Sequence, residues 1–211
     1  FIDTKKYKDR LKKAKEETGQ DETMGAVSGY LNALPITVVS MTFAYLGGSI
    51  NPKSGEIFLS AADHAIKNSK AFIVYTTSGG MRMQTGNLSL QQMGRMTIAM
   101  LELKKKNIPT IVVAAGHVLG GTTASFASLA DQIYSEDENY LWGFSGKRII
   151  EQNLREKLAS EVQTSRWVMD HGGLDKIIPR HKLRDEIYNF LSILLKIKEK
   201  EEKDSNVTID K

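Results

Sequence analysis

Three glycine pairs have residue types and spacing that could do chemistry: Gly47 and Gly48 in FAYLGGS, Gly79 and Gly80 in TSGGMR, and Gly120 and Gly121 in GHVLGGTT. Each pair follows an apolar run rich in β-branched residues and precedes a stretch with helical periodicity, so each stands where a strand hands over to a helix. One such pair is an ordinary tight turn, because a missing side chain permits positive φ and close chain approach. Three in series on one sheet edge expose backbone N–H groups beside helix N-termini, an arrangement suited to anions. None has the GxxxxGK[ST] or GxGxxG spacing, which counts against nucleotide hydrolysis and nicotinamide redox chemistry. What remains is stabilisation of negative charge developing on a carbonyl or thioester oxygen, and the enolate of an acyl-coenzyme A would fit.

Side-chain chemistry is sparse. The chain has no cysteine, which removes thiol nucleophiles, disulfides and zinc sites built on sulfur. His64, His117, His171 and His181 have no metal-binding spacing, so no metal is expected. His117 lies beside the third glycine pair in GHVLGG, where it either takes part in chemistry or hydrogen-bonds locally. Ser78 and Ser125 are the candidate nucleophiles for a serine-hydrolase reading, although GFSG falls one residue short of the G-x-S-x-G elbow.

The elements that must position these glycines follow from the pattern. A surface helix is expected over 3–18, capped by Asp3 or Thr4 and closed by Gly19. Strands over 26–31 and 36–43 form a hairpin. Strand-to-helix units then repeat, with helices expected over 55–68 and 88–106, strands over 71–76 and 110–114, and a small-residue helix in TTASFASLA. Short strands over 132–135 and 140–142, and helices over 148–158, 162–171 and 183–198, complete the chain, with Gly172 as a helix stop. The succession predicts an α/β fold with a mainly parallel sheet, in one domain over 1–198 followed by a polar, disordered tail over 199–211.

With 41% hydrophobic residues over 211 positions, the chain can bury a full core. The formal charge is only +4, because most lysines alternate with acidic residues, and no one-sided basic stripe marks a nucleic-acid site. No apolar run approaches the roughly 20 residues of a membrane span, so a cytoplasmic protein, or one of a plastid stroma, is expected.

At FIDTKKYKDRL, FAYLGGS, TSGGMRMQTGNLSLQQM, GGTTASFASLAD, GFSGKRIIEQNLREKL and HGGLDKIIPR the sequence resembles the family of acetyl-CoA carboxylase carboxyltransferase β subunits, with the motifs in the family's order. The resemblance implies a ClpP/crotonase-like superhelix of strand-strand-helix units. It also implies transfer of a carboxyl group from biotin, delivered on a carrier protein, to the coenzyme A thioester acetyl-CoA, giving malonyl-CoA for fatty acid synthesis within an ATP-dependent complex. The implied partners are a carboxyltransferase α subunit in an α2β2 assembly, which supplies the other half of the active site, together with the biotin carboxyl carrier protein and biotin carboxylase.

By the same resemblance, Gly120 and Gly121 are the catalytic oxyanion pair. Ser78, Gly79, Gly80 and Arg82 line the acyl-CoA end of the pocket, Gly47 and Gly48 frame the cleft, and Phe144, Gly146 and Arg148 lie on the biotin side. Arg82 has a competing role as an ion pair bracing the turn. Family members carry a four-cysteine zinc ribbon that has no counterpart in this sequence. The segment INPKSGE, Met81, Thr85 and the His117 loop also depart from the family pattern around the proposed pocket. A biotin-dependent decarboxylase component, another crotonase-like acyl-CoA enzyme, a serine peptidase using Ser125 and a non-catalytic binding subunit are the alternatives.

Overall fold

The two runs richest in apolar residues, AFIVYTTS and TIVVAAGHVL, form the central strands β3 (Ala71–Ser78) and β4 (Thr110–Leu119) of the computed structural model, which describes residues 4–195. Both faces of these strands are covered, which is why they read as continuous hydrophobic runs rather than alternating ones. Phe72, Val74, Val112 and Ala114 point into one apolar cluster, while Ala71, Ile73, Ile111 and Val113 point into another on the opposite face. The helices α2 (Pro52–Lys67) and α3 (Asn87–Lys105) close the first face through Phe58, Met96, Met100 and Leu103. The helix α6 (Arg180–Leu194) closes the second through Leu183, Ile187 and Leu191, which recur at helical spacing.

The hairpin of β1 (Met24–Leu31) and β2 (Leu34–Met41) is antiparallel and sits at one edge of the sheet. From β2 the sheet continues in parallel through β3, β4, β5 (Gln132–Ser135) and β7 (Lys176–Ile177). A short strand β6 (Trp142–Gly143) pairs with the far end of β4, matching Val118 with Trp142 and Leu119 with Gly143. The expected mainly parallel α/β architecture is therefore present, and the carboxyl ends of β3 and β4 meet where the glycine pairs lie.

Several boundaries differ from the sequence-based expectation. The first helix, α1 (Tyr7–Thr18), starts at a Lys6 cap with no side-chain capping bond, and Thr4 Oγ1 instead accepts from Arg10 Nη2 at 2.9 Å. Asp3 lies outside the described residues. Gly19 does close the helix in the left-handed conformation, with φ of 66°. The helix expected from residue 55 begins at Pro52, because Asn51 and Ser54 form a reciprocal capping box and proline suits the first helical position.

The stretch TTASFASLA makes only a short π-helical turn over Thr123–Ala127, broken by Ser125 at φ −122° and ψ −109°. The later helices are also shorter than expected: α4 is Lys147–Leu154 and α5 is Ser165–Asp170. The proposed tail over 199–211 and the end of the helix expected to reach 198 lie outside the described residues. Among the described residues no helix is long and apolar enough to cross a membrane.

The Asn51 cap also reaches Glu22 through its Nδ2 at 2.9 Å, so it fixes both the start of α2 and the segment before β1. Asn51→Ala is expected to cost about 1–2 kcal/mol in urea denaturation, with no change in far-ultraviolet circular dichroism beyond the first turn of α2.

Candidate active site

Backbone hydrogen bonds stitch the first two glycine loops together. Gly79 N donates to Gly47 O at 2.9 Å, Ile50 N to Gly80 O at 2.9 Å, and Arg82 N to Ile50 O at 2.7 Å. Gly48, at φ 64°, packs directly on the end of β3, where a Cβ would overlap the carbonyl oxygen of Thr77. The second and third loops then meet glycine on glycine. A Cβ on Gly80 would lie 3.3 Å from Gly120 Cα, and one on Gly120 would lie 3.2 Å from Gly80 Cα. Both residues have positive φ, 113° and 64°, so conformation and space each demand glycine there. All three pairs thus converge at one place, which their separation along the chain did not guarantee.

The amides of these glycines do not share one role. Gly79 N is used on Gly47 O, Gly80 N is held by Ser78 Oγ at 3.0 Å, and Gly120 N donates to Gly143 O at 3.0 Å. Of the four amides in the second and third pairs, Gly121 N alone has no acceptor among the described residues. The Gly80–Met81 peptide is its neighbour, since a Cβ on Gly80 would lie 3.4 Å from Gly121 N. Met81 bridges Ile50 in a parallel arrangement that uses Gly80 O and Arg82 N, leaving Met81 N without an acceptor among the described residues. Among residues 79–81, 120 and 121 the amides of Met81 and Gly121 therefore remain, where those of Gly120 and Gly121 were expected. Gly120 supports the loop by holding the β6 segment through Gly143.

Gly121 has ordinary φ, and its lack of a side chain serves space instead. A Cβ would meet Met81 Cε and Met93 Sδ, each at 2.8 Å. Ser78 was expected to line the acyl-CoA end, but it is fully buried and accepts from Thr122 Oγ1 at 2.8 Å as well as from Gly80 N. It braces the two loops against each other. Ser125 is 1% exposed and its hydroxyl donates to Gly121 O at 2.6 Å, which withdraws it from attack on a substrate and disposes of the peptidase reading.

Arg82 departs furthest from its expected place on the acyl-CoA pocket. It is 1% exposed, and each of its side-chain nitrogens is engaged within the protein. Nη2 reaches Glu22 Oε1 at 2.8 Å, Thr23 Oγ1 at 2.7 Å and Ser49 O at 2.9 Å. Nε donates to Ser49 Oγ at 3.1 Å and Nη1 to Tyr7 Oη at 3.1 Å. Glu22 in turn accepts from Thr23 N and Asn51 Nδ2. Burial pushes the Glu22 carboxyl pKa up, but the Thr23 amide, Arg82 and Asn51 together outweigh it and hold the pKa below its usual value of 4.5. The alternative weighed for Arg82, an ion pair bracing the turn, is the one the geometry adopts.

On the other side of the cleft, Phe144 follows β6 and is 65% exposed, while Gly146 caps α4 close to Leu119 Cδ1. Arg148 lies in α4, with its side chain outside the described residues. His117 accepts from Leu141 N through Nδ1 at 2.9 Å and meets the Tyr140 ring edge-on, so its ring is a strut for the β6 approach. Met93, Glu22 and Thr122 belong to the site or its support and were not singled out in the sequence, whereas Met81 was marked there only as a departure from the family pattern. Met81 directly follows a glycine pair and could have been found there. Glu22 stands 60 residues from Arg82, with no local signal to join them. No group of three or more His, Cys, Asp or Glu among the described residues could hold a metal ion.

Two outcomes follow for stability. Gly48→Ala is expected to lose about 3 kcal/mol, because it strains φ and forces a Cβ into backbone, whereas Gly121→Ala, at ordinary φ, meets only side-chain atoms of Met81 and Met93 and should cost about 1–2 kcal/mol. Thermal and urea denaturation of both variants compare them directly. Glu22→Gln leaves the Arg82 charge buried without its counter-ion and is expected to cost about 3 kcal/mol at neutral pH. Because the folded pKa of Glu22 is depressed, the wild-type advantage is present above the unfolded value and fades as pH falls from about 4.5 through the folded value. Denaturation midpoints of the two proteins should therefore converge in acid, and a constant gap across pH would exclude this origin.

The carboxyl transferase domain model matches residues 4–207. The acetyl-coenzyme A carboxylase carboxyl transferase subunit beta of Pelagibacter ubique is 44% identical over 194 residues, 92% of this chain and 62% of that protein. Its counterpart in Acinetobacter baumannii is 40% identical over 197 residues, 93% of this chain and 66% of that protein. The chain thus spans just under two thirds of the length of these curated relatives. A transcarboxylase 12S crystal structure superposes with a TM-score of 0.72 at 23% identity, over 81% of this chain and 33% of that one. A Pseudomonas malonate decarboxylase hetero-dimer does so with 0.73 at 21% identity, over 82% and 78%. These two likenesses establish the crotonase-like fold, with its strand-strand-helix units. By the extent of the family match and the identity to its relatives, the chain belongs to the carboxyl transferase domain family.

Proposed function

We propose that this chain is the carboxyltransferase β subunit of an acetyl-CoA carboxylase and stabilises the enolate of acetyl-CoA on the way to malonyl-CoA. The observation that carries this reading is the pair of uncommitted amides at Met81 and Gly121, set beside the amides of Gly48, Gly79, Gly80 and Gly120, which are used internally. Two uncommitted N–H groups on adjoining loops suit an oxygen that gains negative charge as a thioester loses its α proton. The chain's likeness to acetyl-coenzyme A carboxylase carboxyl transferase β subunits supports a coenzyme A thioester as the source of that oxygen.

The site's residues can be assigned parts in this reaction. The Met81 and Gly121 amides hold the thioester oxygen, and Gly80 and Gly120 allow the two loops to approach closely enough to do so. Met81 and Met93 wall that position with polarisable, adaptable side chains. The exposed Phe144 ring and the open backbone at Gly146 fit a flat, uncharged ring such as that of biotin. Biotin on its carrier protein supplies the activated carboxyl group when it is bound there.

The site is one-sided, which supports the need for a carboxyltransferase α subunit, in an α2β2 assembly, to complete it. Met83 at 80% exposure, with Leu88, Leu90 and Ile98 along α3, forms an apolar surface leading away from the cleft. The biotin carboxyl carrier protein and biotin carboxylase complete the ATP-dependent complex in this reading, and a cytoplasmic or stromal location follows from it.

Reconstitution with a homologous α subunit tests the assignment through malonyl-CoA-dependent carboxylation of biocytin. Gly121→Val should lower kcat by about 100-fold or more in a protein that still unfolds cooperatively, because it obstructs the amide without removing a structural bond, at a stability cost of about 1–3 kcal/mol for displacing Met81 and Met93. Unaltered turnover in a folded Gly121→Val protein would remove that amide from the mechanism. A reconstituted pair that binds no coenzyme A would remove the assignment itself.

A further inference from the structure

β1 is the terminal strand of the sheet and pairs only with β2 among the described residues, which leaves its outer edge open. Its eight residues, MGAVSGYL, carry no charge although 26% of the chain is charged, and its pairing with β2 runs without a register shift. Edges that must stay unpaired are usually protected by charge, proline or a bulge, and β1 has none of these. Residues 25–28 are exposed, with Val27 at 69%. A Cβ on Gly25 or Gly29 would meet nothing within 4 Å, so local packing does not require these glycines, and they leave the edge backbone accessible.

A groove of about 540 Å³ runs beside this edge, walled by Ile57, Ser60, Ala61 and His64 of α2, with Thr37 at its floor. Thr37 is 2% exposed, and its hydroxyl has no hydrogen-bond partner, an uncommon state for a buried polar group. The groove shares no lining residue with the glycine cleft.

Its two ends are basic. At one end Lys53 Nζ reaches only the carbonyl of Asp21, at 3.5 Å. At the other, Lys70 Nζ donates to Ser28 Oγ at 2.7 Å and lies over the Tyr30 ring, while His64 Nε2 is 3.1 Å from the same Ser28 hydroxyl. Neither lysine forms a direct ion pair with a carboxylate among the described residues, although Lys53 is close enough to Asp21 to favour its charged form. The nearby acids are already paired, Glu56 with Arg95 at 2.6 Å and Asp63 with Lys67 at 2.6 Å.

We infer that the β1–α2 groove is a docking site for an extended acidic segment of another polypeptide, which adds as a strand to the open edge of β1. Main-chain hydrogen bonds to β1 supply the pairing, as in other edge-strand recognition. An apolar side chain of the segment covers Ile57 and Ala61, and carboxylates at its ends face Lys53 and Lys70. The lengths agree. The 16 residues of α2 extend about 24 Å, and an extended strand of about seven residues covers about 23 Å.

The test uses the full chain and a fluorescein-labelled peptide of alternating valine and threonine, about seven residues long, ending in glutamates. A second peptide replaces the glutamates with lysines. Fluorescence polarisation should show the acidic peptide binding at least about tenfold more tightly than the basic one, as charge complementarity requires. Ser60→Trp, which fills the groove from an exposed position, and the double variant Lys53→Glu/Lys70→Glu should each weaken the acidic peptide by at least about tenfold. Hydrogen exchange of the wild-type chain should slow at residues 25–30 when that peptide is bound. Absence of binding, binding by the variants as tight as by the wild-type chain, or protection confined to other segments would overturn the proposal. So would sedimentation showing a dimer through β1 that Ser60→Trp dissolves and the peptide does not, since the occupant would then be a second copy.

Discussion

A buried ion pair between Arg82 and Glu22 is the constraint on which the remaining site geometry depends. The guanidinium contacts Tyr7 on α1, Thr23 at the start of β1 and Ser49 beside the first glycine pair, while the carboxylate contacts the Asn51 cap of α2. One pair of opposite charges thus fixes four segments at the position where Ile50 pairs with Met81. Removing charges from water is costly, and this pair is tolerated because each charged group is also hydrogen-bonded by neighbours. Its role is to hold the Gly80–Met81 peptide at one orientation.

That orientation has meaning only because the loops can approach one another so closely. Gly80 against Gly120 removes two Cβ atoms from the contact, and Gly48 removes a third at the end of β3. Backbone donors that would otherwise compete for a ligand are absorbed by Gly47 O, Ser78 Oγ and Gly143 O. Met81 N and Gly121 N stay available on neighbouring loops, and in the proposed reaction they are the donors to the thioester oxygen. Preorganised donors of this kind need no reorganisation when charge develops, which is the source of their catalytic effect.

The same sheet presents two kinds of edge. Its carboxyl ends converge on the glycine cleft, whereas its lateral edge at β1 stays open beside α2. The first depends on tertiary contacts between distant loops. The second is a local property of an uncharged strand, and its two basic ends come from Lys53 in the first turn of α2 and Lys70 just beyond its end.

The parallel sheet, its strand-to-helix units and the importance of the glycine pairs were legible in the sequence because each rests on local periodicity or on the conformational freedom of glycine. The resemblance of the motifs to carboxyltransferase β subunits was equally legible, and it singled out the third pair. Element ends were less so: the Asn51 capping box and the broken turn at Ser125 depend on side chains finding backbone groups in a particular packing. Arg82, beside a glycine pair, read equally well as a ligand or as a brace, since its counter-ion lies 60 residues away and only chain folding brings Glu22 to it. The division of labour among the glycine amides was hidden for the same reason. Sequence alone determined which residues could expose backbone donors, and the tertiary structure decided which donors remain, because an amide's availability depends on whether a distant carbonyl or hydroxyl has already taken it.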